Sequence, residues 1–129
     1  MAQELIPKAG QPLLSIEEVT RRLKATFKHV ELDIERASKE SEELIQFITN
    51  ARASGATGYS VEDIERTKRS IGRSVFVTVA DEPSVYISFT LSPEAETIFI
   101  GFESEEQEKA ANPLCERLAR ALDYEMEIV

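Results

Sequence analysis

Three β-rich runs follow one another between residues 74 and 103: SVFVTVA, VYISFTL and TIFIGFE. β-Branched and aromatic side chains fill them, and such side chains suit strands. The connectors, DEPS and SPEAE, are turn-like and far shorter than the dozen or more residues a parallel crossover needs. An antiparallel meander is therefore predicted. Alternation assigns Val75, Val77, Val79, Val85, Ile87, Phe89, Ile98, Ile100 and Phe102 to the face that meets helices. Phe76, Tyr86 and Phe99 then point outward among Thr78, Ser88 and Thr90. Aromatics in a polar surround form a candidate recognition patch. The competing account is cross-strand packing on an otherwise wet face.

Ahead of the meander the pattern is helical. Ser15 with Glu18 three residues on makes a capping signal, and Ile16, Val19, Leu23 and Phe27 repeat at helical spacing, so a helix is predicted over 16–28. FKHVELDIE, at 27–35, admits two readings. Leu23, Phe27, Val30, Ile34, Ala37, Ser41, Leu44 and Ile48 keep a four–three spacing, as one long helix would. Leu32 opposes this, because on a helix it falls about 200° from Val30 and from Ile34. On a strand all three share a face, and a strand over 29–35 is the reading preferred here.

A second helix is expected over 38–55, with Ser38 and Ser41 as alternative caps and Leu44, Ile45 and Ile48 facing inward. A third follows Ser60, with Asp63 at the capping-box position and Gly72 as terminator. After the meander, Ser104 and Gln107 open a last helix. Its stripe Ala111, Leu114, Leu118 and Leu122 holds phase across Pro113, which predicts a kink rather than a break. YEMEIV closes as a strand with Tyr124, Met126 and Ile128 on one side.

The order is α-β-α-α-β-β-β-α-β. It predicts an α+β fold, a mostly antiparallel sheet of about five strands with helices packed on one face. A chain of 129 residues fits one domain. Residues 15–129 are assigned to it, and residues 1–14, with Pro7, Gly10 and Pro12 and no periodicity, to a tail or lead-in.

The net charge is −9, which disfavours nucleic acid and anionic lipid and favours a basic protein partner. Two strands concentrate acids on one face: Glu31, Asp33 and Glu35 on the first, Glu125 and Glu127 on the last. These five are the candidate protein-binding surface. Like charges directly opposite each other destabilise a sheet, so either the two strands are not neighbours or something positive lies between them. The bland account is a solvated outer face.

The chain offers little for catalysis. With one histidine, His29, and one cysteine, Cys115, a structural zinc site lacks its usual ligands. A nucleophilic pair would need the two to meet in space. Cys115, beside Leu114, reads as a small buried hydrophobe. The acids of ESEEQE lack the pattern of a calcium loop, and GATG is too short for a phosphate cradle. No catalytic residue, metal ligand or cofactor is expected. The basic run Arg66, Lys68, Arg69 and Arg73 reads as a solvated helix face rather than a nucleic-acid footprint. Without a membrane-length apolar run or a secretory signal, a cytoplasmic protein is expected. The leading expectation is a small acidic, non-catalytic protein-binding or regulatory module. The alternative is a small-ligand binder or an enzyme of unfamiliar type with a pocket between sheet and helices. Self-association through a sheet edge is a third.

Overall fold

The computed structural model describes residues 2–93 and 97–128, with the backbone alone at Ile128. Residues 94–96 of the turn expected across SPEAE, and the orientation expected of the Ile128 side chain, lie outside the described residues. The elements are β1 (Ala2–Pro7), α1 (Ile16–Thr26), β2 (His29–Asp33), α2 (Ile34–Ala53), α3 (Val61–Ser70), β3 (Val75–Glu82), β4 (Val85–Leu91), β5 (Ile98–Gly101), α4 (Glu105–Leu122) and β6 (Tyr124–Ile128). The fold is α+β, and its described strands form two three-stranded antiparallel sheets, β5-β1-β6 and β2-β3-β4. Where one sheet of about five strands was expected, the described residues form six strands in two sheets.

The extra strand is β1, in the segment read as a tail. It lies between β5 and β6, with Leu5 opposite Ile98 on one side and Met126 on the other. Its alternation is disguised because one inward position is Gln3, fully buried, whose amide donates to Asn112 Oδ1 at 3.2 Å. Pro7, which has no N–H to give, sits at the end of the ladder, where β6 continues and β5 has stopped. β1 also redirects the third run of the meander. β3 and β4 form the expected hairpin, but β5 takes β1 as its ladder partner and only lies beside β4.

One apolar cluster spans both sheets. Val75, Val77, Val79, Ile87 and Phe89 meet Leu5, Ile98 and Ile100 beneath α1 (Val19, Leu23, Phe27) and α4 (Ala111, Leu114, Cys115, Leu118, Leu122). Val85 and Phe102 pack against it partly buried, so all nine inward positions expected of the meander face the core. α4 runs unbroken through Pro113, and the stripe Ala111, Leu114, Leu118 and Leu122 is buried. Asp123, in the left-handed conformation at φ 57°, turns the chain directly from α4 into β6 and is tied to Lys8 at 2.6 Å.

FKHVELDIE divides between its two readings. β2 ends at Asp33, and α2 begins at Ile34, four residues before the expected cap at Ser38. Asp33 Oδ1 accepts from the Arg36 amide at 2.8 Å, which makes an apparent strand acid the helix cap. Val30 and Leu32 pair with Val79 and Val77 as a strand should, whereas Ile34 and Glu35 belong to the first helical turn. The serines are used elsewhere. Ser38 Oγ accepts from the Gly72 amide at 3.2 Å, and Ser41 and Ser70 hydroxyls meet at 3.4 Å, tying α2 to α3. α3 has the complete capping box between Ser60 and Asp63, and Gly72 follows it at φ 78°.

Cys115 is fully buried, and its thiol is pushed up to about 12, first by burial and then by the charges of Glu108 and Glu116. A thiolate is the reactive form, so native protein at neutral pH is expected to resist a thiol reagent such as dithionitrobenzoate and to react fully in urea. Rapid labelling of native protein would show that the α4 core opens.

Candidate functional site

α2 has twenty residues and buries two of them, Ala37 and Ile48, neither of which belongs to the core cluster. An ordinary surface helix buries a whole stripe. Here Ile45 is half-buried, but Leu44, expected to face inward, is 47% exposed and Phe47 is 56% exposed. The LIQFI segment carries more apolar residues than the seam against α3 can cover. Phe47 sets its ring edge-on to Tyr59, with centroids 5.7 Å apart. Tyr59 is held by Arg52, which donates to its carbonyl at 2.7 Å. Val61, the first residue of α3, is also exposed. The loop end of the α2–α3 hairpin therefore presents Leu44, Phe47, Tyr59 and Val61 to solvent. Glu40 and Glu43 lie one turn before Leu44 and Phe47 on the same face of α2. Glu43 and Glu62 pair with no base among the described residues.

The aromatic patch is divided. Phe76 and Tyr86 stand on the outer face of the β3 sheet and line a groove of 380 Å³ with Thr78 and Ser88, whose hydroxyls meet at 3.0 Å. The Arg36 guanidinium covers the Phe76 ring at 3.8 Å, while Tyr86 remains exposed. Phe99 belongs to the other sheet, on β5 opposite Glu4, and does not line the groove.

The five acids are divided as well. β2 and β6 lie in different sheets, which answers the question of how their acids avoid one another. Glu31 is exposed on β2, Asp33 caps α2 and Glu35 sits in its first turn, where the helix dipole favours an acid. Glu125 and Glu127 are exposed on β6, and the acid directly opposite Glu127 is Glu4 of β1.

A second concavity, a cleft of 590 Å³, lies at the root of the hairpin. Leu14, Val19, Val75, Leu91 and Ile98 supply apolar wall, and Ile34 and Arg73 come from the two ends of the hairpin. Ser74 also lines it. This residue is 3% exposed, and its Oγ has no hydrogen-bond partner among the described residues. Nothing in the sequence around RSV marked this position.

His29 is exposed on β2 while Cys115 is sealed in the core, so the two do not form a working pair. Among the described residues no three His, Cys, Asp or Glu side chains are grouped to hold a metal ion. In the basic run, Arg66 pairs with Asp63 and Lys68 with Glu65 at 3.5 Å. Arg73 leaves the shared face because α3 ends at Ser70. No helix among the described residues is long and apolar enough to cross a membrane. No protein-family profile, curated protein or solved structure matches the chain.

Proposed function

We propose that this protein is a non-catalytic binding module that holds a segment of another protein, apolar at its centre and basic at its flanks, against the α2–α3 hairpin. The observation that carries the reading is a twenty-residue helix that buries two residues while Leu44 and Phe47 stand about half exposed beside Tyr59 and Val61. Contiguous exposed apolar surface with a polar rim is the usual mark of an interaction site. Aromatic anchors such as Phe47 and Tyr59 dominate the energetics of such sites. Charge argues for the partner's chemistry. Glu43 and Glu62 rim the patch and pair with no base among the described residues, and the net charge of −9 attracts a cationic segment. The acids first suspected on the strands take a lesser part in this reading, since Asp33 is committed to capping α2.

Immobilised protein and an L44S/F47S variant are compared as baits in lysate of the source organism, washed at low and then high salt. A basic protein held by the unaltered protein, released by salt and lost from the variant supports the reading. Both positions are exposed, so the variant keeps its circular dichroism and its melting temperature within the small range of surface substitutions. With the captured partner purified, the double substitution weakens binding at least about tenfold. Equal retention by both baits, or none by either, overturns the proposal. So does sedimentation showing that the unaltered protein is a dimer which L44S/F47S dissolves, because the patch is then occupied by a second copy.

A further inference from the structure

We infer that the cleft at the root of the hairpin is a binding site for a small apolar carboxylate. Its volume, 590 Å³, lies in the range of small-molecule sites, and its wall is mainly aliphatic. Polar side chains interrupt that wall, and two of them, Arg73 and Ser74, are neighbours in the chain. Ser74 is the stronger observation. Its amide donates to the Ser70 carbonyl at 3.0 Å, so its backbone is satisfied, yet its buried hydroxyl is left without a partner. Buried hydroxyls are bonded in the large majority of cases, and this one, closed to solvent beside the cleft, reaches a ligand's acceptor by a turn about χ1 toward it. Arg73 is the second group. It is exposed and pairs with no acid among the described residues, although acids outnumber bases in this chain. A guanidinium and a hydroxyl donor together suit a carboxylate, which accepts from both, while the aliphatic wall suits an alkyl body. Glu17 also lines the cleft and disfavours a second negative charge on the ligand. The site is separate from the Leu44–Phe47 patch, and its test is independent of the partner proposed there.

Thermal melting and calorimetric titration are run with decanoate, decanol and decyltrimethylammonium, each below its micellar concentration. Decanoate is expected to raise the melting temperature in proportion to dose, decanol to bind more weakly, and the ammonium compound to leave the curve unmoved. R73Q lowers decanoate affinity about tenfold or more, with decanol affinity unchanged, because a charge-assisted bond is lost and the apolar wall is not. S74A is the diagnostic variant. It weakens decanoate several-fold, yet the free protein melts higher, since an unpaired buried hydroxyl is removed. Equal melting shifts for decanoate and the ammonium compound, or R73Q and S74A binding decanoate as the unaltered protein does, would overturn the inference. Flat melting curves with all three compounds would do so as well.

Discussion

Replacing Leu5 by Asp is expected to leave the protein unfolded, and replacing it by Ala to cost about 2–5 kcal/mol in urea denaturation. Leu5 is fully buried at the middle of β1, between Ile98 of β5 and Met126 of β6, and it belongs to the core cluster that joins both sheets. An aspartate there has no base to pair with and no water, a burden comparable to the ~5–15 kcal/mol by which domains are stable at all. Removal of residues 1–7 is expected to be as severe, since β5 and β6 have no ladder partner but β1 among the described residues. Circular dichroism and limited proteolysis report the outcome. A truncated protein that still unfolds cooperatively at the same midpoint would refute the central position of β1.

Arg117→Ala is expected to destabilise by about 2–3 kcal/mol, more than any exposed ion pair here. Its guanidinium pairs with Asp81, donates to the Thr26 carbonyl at 2.7 Å and lies over the Phe27 ring at 4.9 Å. One side chain thus fastens α4 to the end of α1 and to the β3–β4 irregularity next to Asp81. Asp81 also accepts from the Lys28 amide at 3.2 Å, so it keeps one bond when Arg117 is lost. Both side chains are part-exposed, which keeps the cost below that of stranding a fully buried charge. Arg117→Met retains the apolar stem and separates packing from charge. A double-mutant cycle with Asp81→Asn measures the coupling. A cycle energy near zero would mean that the pair only marks a contact made by packing.

Where the residues carried a strong period, the fold was legible. The nine inward positions of the meander, the stripe on α4 and the capping box at Ser60 are where alternation and helical spacing put them. β1 was illegible because a buried Gln3 and a terminal Pro7 occupy positions where apolar residues would have revealed a strand. The start of α2 was misplaced because Asp33 serves two elements at once, closing β2 and capping the helix. The candidate sites were harder. Leu44 obeyed a core spacing yet faces solvent, since periodicity says which residues share a face and not whether anything covers it. Ser74 had no signal at all, because an unsatisfied hydroxyl is a property of its neighbours.

The placement of β1 also bears on how fast, and in what order, the structure assembles. β3 and β4 are joined by a tight turn and close locally, whereas Gln3 must find Ile128 and Ile100 from the far end of the chain. Closing so long a loop costs entropy before any ladder bond offsets it. The β1 contacts are therefore expected to form after the folding barrier has been crossed. Leu5→Ala would then refold at nearly the unaltered rate and owe its instability to faster unfolding. The strand at the middle of the architecture would be the last to arrive and the first to leave.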